Sequence, residues 1–368
     1  MKDEKIQMNI PSLSVSHVIK RLTKLYCGAI NHGISLKNFF TPFLWGAAGV
    51  GKSAGVYQLA ELIQEETGKT TTVTDIRLLL YSPVDLKGIP SADEERRFTN
   101  WLMPKIFNLN PAADHINLLF LDELSAAPQQ VQAAAYQICL DRKIGEFALP
   151  DNCIVIAAGN RTTDQSVSYK MPKALCNRLM HFNVKSDYEE WRAWAVENKI
   201  SDKIIAYLGF DNSRLCVEPE SSDLAFCTPR SWAAVSAVLR ACGGEPSLVH
   251  DLISAHVGKD TAIEFEAFCK GYINMPPISE IVKGRCKELP KTHDVMYATV
   301  SSLVAVLNDK GDELTVSELD NICAYAIRLP KDFCMSFMKD ANRIKDMNFR
   351  LMKCNVFQSW LSQNKNFL

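Results

Sequence analysis

Residues 46–53 read GAAGVGKS, and no other stretch constrains the chain as tightly. The octapeptide fits G-x-x-x-x-G-K-[ST] at every fixed position. The apolar run PFLWG at 42–46 leads into it and VYQLAELIQEETG follows it, so the loop joins a strand to a helix. Glycines at these points let the backbone wrap a phosphate closely. The loop N–H groups and the positive end of the following helix then cradle the anion. Gly46, Ala47, Ala48, Gly49, Val50, Gly51, Lys52 and Ser53 are therefore expected to hold a nucleotide's phosphates. In that role Lys52 neutralises the β- and γ-phosphates and Ser53 ligates Mg²⁺. A strand–loop–helix unit of this kind belongs to an α/β fold.

The rest of a phosphoryl-transfer site is legible downstream. LLFLDE at 118–123 reads as a buried strand ending in two acids. Asp122 stands at the strand end, where open α/β sheets bind ligands. It is expected to hold Mg²⁺ through water, with Glu123 polarising the attacking water. CIVIAAGN at 153–160 is a second buried strand, ending in Asn160. G-N is a common turn dipeptide, but an amide donates and accepts at once, which suits orienting a water beside the γ-phosphate. MHFNV at 180–184 reads as a third buried strand and TTVTDIRLLL at 71–80 as another. Strands alternating with helices imply a parallel sheet covered on both faces.

Residues 14–31 carry an amphipathic helix. Residues 81–111 hold four prolines and no simple periodicity, and predict two short extended pieces around the charged turn ADEERR. PQQVQAAAYQICLDR predicts a helix started by proline, and IGEFALP part of a hairpin. From about 188 the pattern turns helical, with Trp191 and Trp194 expected in a core. The stretch 331–368 is also read as helical, with Phe333, Phe337, Ala341 and Ile344 on one face. Lys339, Arg343, Lys345, Arg350 and Lys353 would form a solvated basic face.

Bulk charge narrows the partners. Lys and Arg number 41 against 42 acids, so no overall basic field favours nucleic acid. The twelve cysteines are scattered, without a CxxC pair or zinc spacing. They read as small buried apolar residues in a reducing compartment. The first residues show no apolar signal region, and no stretch approaches the roughly 20 apolar residues of a membrane span. A cytoplasmic location is expected. NKISD at 198–202 has one residue too many for a guanine-reading NKxD and is better read as a loop.

A site of this kind still needs a cation for the charge that grows on the γ-phosphate. Arg178 lies in PKALCNRLMHF at 172–182, just before a strand. In a simple doubly wound layout that position is far from the chain's own phosphate loop, so Arg178 is expected to reach a neighbouring subunit's nucleotide. The bland alternative is a surface arginine.

Taken together, GAAGVGKS, LLFLDELSAAPQQVQAAAYQ, DRKIGEFALP, IVIAAGN, MPKALCNRLMHF and TPRSW at 228–232 resemble the AAA+ ATPases, and more closely their MoxR-type branch. The motifs span most of residues 42–240 in the right order. The resemblance implies a P-loop NTPase (AAA+) fold, a parallel sheet sandwiched by helices and followed by an all-helical lid domain. It implies ATP and Mg²⁺ as cofactors and a homo-oligomer, usually a hexameric ring. Asn160 matches sensor 1, Arg178 the arginine finger, and Arg230, in TPRSW, sensor 2. Pro at a first helical turn is common, so Arg230 also reads as a helix-start residue. The implied layout is a helical segment at 1–36, the ATPase core at 37–187 with a hairpin insertion at about 81–111, the lid at 188–310 and a C-terminal helical extension at 311–368. The activity that the resemblance implies is ATP hydrolysis coupled to remodelling a protein partner, on the branch's pattern a separate von Willebrand A-domain chain. The alternatives are a nucleic-acid motor, which the charge balance disfavours, and a monomeric P-loop kinase, which would need neither a trans arginine nor so large a helical lid.

Overall fold

The computed structural model describes residues 10–161, 171, 173–220, 222–270 and 275–364. The chain divides into two compact units. One comprises Met1–Ser186 with Pro219–Ser221, the other Asp187–Glu218 with Ser222–Leu368.

In chain order the first unit runs β1 (Ser12–Ser14), α1 (Val15–Asn31), β2 (Thr41–Trp45), α2 (Lys52–Thr67), β3 (Thr70–Arg77), α3 (Pro83–Lys87), β4 (Ile89–Ala92), β5 (Thr99–Leu102), β6 (His115–Asp122), α4 (Gln129–Asp141), β7 (Lys143–Ile144), β8 (Phe147–Ala148), β9 (Cys153–Gly159), α5 (Lys173–Cys176) and β10 (Leu179–Lys185). Among the described residues, six strands form one parallel sheet in the order β1-β10-β2-β9-β6-β3. From β2 the chain crosses to β3 at the far edge, returns through β6 and β9, then passes to β10 on the other side of β2. The winding therefore reverses at β2, and ligands of open α/β sheets bind at the carboxyl end of such a switch point.

Every residue of β2, β6 and β9 is buried, as their unbroken apolar runs require. On one face, Leu119 and Leu121 of β6 and Val155 of β9 pack with Val131, Ala134, Ala135 and Ile138 of α4. On the other face, α1 and α2 pack together, with Ile19, Leu22 and Tyr26 buried on α1 and Val56, Leu59 and Ile63 buried on α2. A Cβ on Gly55 would lie 2.7 Å from Val15 Cγ1, so the missing side chain sets how closely these helices approach.

Three parts of this unit differ from what the residues predict. Residues 12–14 add a strand outside β10, with Ser12 opposite Asn183 and Ser14 opposite Lys185. Three residues are too few to show a period of two. β10, expected to be buried, is fully buried only at Leu179 and Val184, because this three-residue strand is all that flanks its outer side. Within 81–111 the two extended pieces are the antiparallel pair β4 and β5, but α3 precedes them. Asp93 organises the charged turn, its Oδ1 accepting from Arg97 N at 2.7 Å and Phe98 N at 3.0 Å.

The second unit is helical: α6 (Tyr188–Glu197), α7 (Asp202–Phe210), α8 (Pro229–Ala241), α9 (His250–Val257), α10 (Lys259–Lys270), α11 (Ile278–Val282), α12 (His293–Lys310), α13 (Val316–Ile327), α14 (Lys331–Arg343), α15 (Met347–Leu351) and α16 (Asn355–Gln363). One hydrophobic core runs from Trp191 to Trp360, so residues on both sides of position 310 share it. A buried ion pair joins the ends of this unit, with Arg192 Nε of α6 donating to Asp340 Oδ2 of α14 at 2.7 Å. Trp191 is buried as expected, whereas Trp194 is 42% exposed, roughly opposite the buried Arg192 and Val196 around the helix. The last stretch is broken into three helices rather than one. Its basic residues are not all solvated, since Arg350 donates to the carbonyls of Gly311 and Leu314.

No described helix is long and apolar enough to cross a membrane. Most of the twelve cysteines are buried, Cys242 being exposed. Burial pushes the Cys139 thiol up to about 12, which makes it a packing residue rather than a nucleophile. Among the described residues, no group of His, Cys, Asp or Glu has the makings of a metal cluster.

The first unit is thus a P-loop α/β sandwich and the second is all helical, the fold class that the resemblance to AAA+ ATPases implies.

Candidate active site

Because the strands are parallel, their carboxyl ends lie along one edge of the sheet. The loop 46–51 leaves β2 there, Asp122 closes β6 and Asn160 follows β9. Gly49 and Gly51 have φ of 78° and 98°, a left-handed backbone that glycine adopts without penalty. They turn the loop so that α2 starts at Lys52, with its first N–H groups facing the loop.

Lys52 is buried, yet its ammonium is well satisfied. Nζ donates to Gly46 O at 2.5 Å, to Ala47 O at 2.9 Å and to Asn160 Oδ1 at 3.2 Å. Ser53 Oγ donates to Asp122 Oδ2 at 3.0 Å, and Glu123 N donates to Asp122 Oδ1 at 2.8 Å. Two hydrogen bonds therefore join the phosphate loop to the ends of β9 and β6. They bring together Lys52, Ser53, Asp122 and Asn160.

Glu123 follows Asp122 with φ of 59°. A non-glycine residue there costs roughly 1–2 kcal/mol, and such strain tends to sit where a side chain must be aimed. Its carbonyl accepts from Ala126 N and Ala127 N, which turns the chain away from β6. The Glu123 side chain is half-buried.

Two supporting residues were assigned no role from the sequence. Ser125 Oγ accepts from Asn160 N at 2.9 Å and donates to Asn160 O at 3.0 Å, clamping the backbone of that residue. A Cβ on Gly159 would come within 2.6 Å of this hydroxyl, so the clamp needs glycine before Asn160. Arg161 donates from Nε to Asn183 Oδ1 at 2.7 Å and from Nη2 to Val184 O at 2.6 Å, tying the end of β9 to β10. Serine in a turn and arginine after a strand are too common for their types alone to signal these contacts.

Arg178 is not part of this cluster. It is exposed on the turn between α5 and β10, at the amino end of its strand. Leu179 pairs with Thr41 at the start of β2. The phosphate loop begins five residues later, about 16 Å along the strand at 3.3 Å per residue. The turn is anchored rather than loose. Trp45 Nε1 donates to His181 Nδ1 at 2.9 Å, which leaves Nε2 as the donor to Cys176 O at 2.8 Å. Pro172, in the same sequence stretch, lies outside the described residues. Arg230 belongs to the helical unit. It is exposed at the start of α8, behind the Thr228 cap, whose hydroxyl accepts from Ser231 N at 3.0 Å.

The donor set suits a hydrated divalent cation: a serine hydroxyl on a buried carboxylate, beside a second carboxylate, Asp75, that keeps a buried oxygen without a partner.

No family model matches the chain, and no curated protein sequence does. Solved structures overlap it loosely. A DNA replication initiation factor is 12% identical, with 96% of this chain and 99% of that one covered and a TM-score of 0.35. A mutant of RuvB from Thermotoga maritima is 13% identical, covering 82% and 88%, with a TM-score of 0.34. PCH-2 of C. elegans is 14% identical, covering 71% and 69%, with a TM-score of 0.35. Overlaps this loose carry no argument about activity.

Proposed function

We propose that the chain binds ATP with Mg²⁺ at the loop 46–53 and hydrolyses it, as an AAA+ ATPase of MoxR type that remodels a separate protein partner. The reading rests on one observation above the others. Lys52 meets Asn160 and Ser53 meets Asp122 at the carboxyl edge of the sheet, so four residue types that phosphoryl transfer requires converge there.

In this reading Gly46, Ala47, Ala48, Gly49, Val50 and Gly51 offer backbone N–H groups to the phosphates. Lys52 exchanges its loop carbonyls for phosphate oxygens. Ser53 and Asp122 hold Mg²⁺, which supplies charge neutralisation when bound. Water oxygen attacks the γ-phosphorus as the bond to the ADP oxygen breaks, and Glu123 accepts the water's proton. Asn160 orients that water through its amide. The remaining positive charge comes from Arg178 of a neighbouring subunit in a ring, hexameric by analogy with the branch, and Arg230 acts as sensor 2. The change at the nucleotide is passed to the partner as motion of the helical unit.

The first experiment is ATP binding and phosphate release by the wild-type chain, Lys52→Ala and Glu123→Gln. The wild type should bind and hydrolyse. Lys52→Ala should lose binding. Glu123→Gln should keep binding and lose roughly 10²–10⁴-fold in turnover, the usual contribution of a general base. A wild-type chain that binds no ATP would end this reading.

A further inference from the structure

β3 and β6 are neighbours in register, Asp75 opposite Phe120 and Arg77 opposite Asp122. Residues paired across the ladder, and residues two apart along a strand, share a face. Asp75 and Asp122 therefore lie on the same face, the one α2 covers. The helix meets them with two hydroxyls one turn apart. Ser53 Oγ donates to Asp122 Oδ2 at 3.0 Å and Tyr57 OH donates to Asp75 Oδ2 at 3.4 Å.

The two carboxylates are not equally satisfied. Both oxygens of Asp122 have donors. Asp75 Oδ1 is buried and has no hydrogen-bond partner among the described residues. An ionised oxygen without a donor is costly, and a second carboxylate nearby adds repulsion. Burial raises the Asp75 pKa and the charge of Asp122 raises it further, while Arg77 and Tyr57 pull it back. As a purely structural residue, an aspartate is a poor choice at this place.

We propose that Asp75 is the outer carboxylate of the cation site, its Oδ1 accepting a hydrogen bond from the hydration shell of the Mg²⁺ held by Ser53 and Asp122. This rests on the reading of residues 46–53 as a Mg²⁺–nucleotide site. Mg²⁺ dehydrates reluctantly and keeps several waters, so it brings donors to a second shell. Its charge also removes the repulsion between the two carboxylates. Asp75 is then a positioning residue. It ligates nothing directly and holds the hydrated ion against the end of β6.

The test uses the full chain with ADP, and Mn²⁺ as the probe ion, followed by its electron paramagnetic resonance. Asp75→Asn should weaken Mn²⁺ binding about tenfold or more, as loss of an outer-shell partner does. Its affinity for ADP without metal should be unchanged, and its metal-free Tm should be no lower than wild type, because a partnerless buried charge is removed. Tyr57→Phe, which touches only the other oxygen, should bind Mn²⁺ nearly as wild type. If Asp75→Asn binds Mn²⁺ like the wild type, the inference falls while the nucleotide site stands. If Asp75→Asn unfolds or loses metal-free ADP binding, Asp75 is a structural anchor and the inference also falls. If the wild type binds no ADP, the site reading fails and takes this inference with it.

Discussion

At the scale of single residues, Ser125 is the most informative side chain. Its hydroxyl takes both backbone groups of Asn160, so it sets where that amide stands relative to Lys52. Ser125→Ala removes a donor and an acceptor at once, and with them both hydrogen bonds to the Asn160 backbone, at a cost of about 1–3 kcal/mol. The expected outcome is a lower Tm together with a kcat down on the order of tenfold or more, since small misplacements of reacting groups are expensive. ATP affinity should hold, because the loop 46–53 is untouched. Loss of affinity and kcat in equal measure would show that Ser125 merely supports the fold. Lys52, Ser53, Asp122 and Asn160 were legible beforehand because each sits at a fixed point relative to a strand end. Ser125, Asp75 and Arg161 were not, because their roles depend on which strands become neighbours. That pairing is decided by crossovers, not by local pattern.

At the scale of elements, the contact between α1 and α2 depends on a missing side chain. Gly55→Val would place its Cβ against Val15 and Ile19, whose atoms lie 2.7 to 3.3 Å from that point. Overpacking of this kind costs typically about 1–3 kcal/mol, read as a shift in the denaturant midpoint. A companion Val15→Ala should restore part of it by opening the space. An unshifted midpoint for Gly55→Val would mean that the two helices separate freely. Continuous apolar runs made β2, β6 and β9 legible, and a helical period did the same for α1. Short elements escaped for want of length. β1 has three residues and α3 five, less than two repeats of a strand pattern and less than two turns of a helix. The last helices escaped for another reason. The chain leaves the helix after Arg343, with Ile344 extended, yet Ile344, Met347 and Leu351 still join the shared core, an arrangement that a single apolar stripe in the sequence does not reveal.

At the scale of the molecule, Arg178 and the phosphate loop lie toward opposite ends of β2, so a catalytic role for this arginine requires a second subunit. The rate of ATP hydrolysis per subunit should then rise with protein concentration. Arg178→Ala and Lys52→Ala chains, each inactive alone, should recover part of the activity when mixed, because one supplies the loop and the other the arginine. A rate flat in concentration, with no recovery on mixing, would leave Arg178 as an exposed turn residue. A different consequence follows from β1. Its Ser12 accepts a hydrogen bond from Asn183, 171 positions away, at 2.7 Å. At about 5–20 residues per second, a ribosome that has just made residue 12 needs on the order of ten to thirty seconds to reach its strand partner. During that interval α1 and α2 can already associate, but the first strand has nowhere to pair. Closure of the sheet at that edge therefore waits until about half of the 368 residues are made, and the long sequence separation makes it the slow, high-contact-order step of the α/β unit.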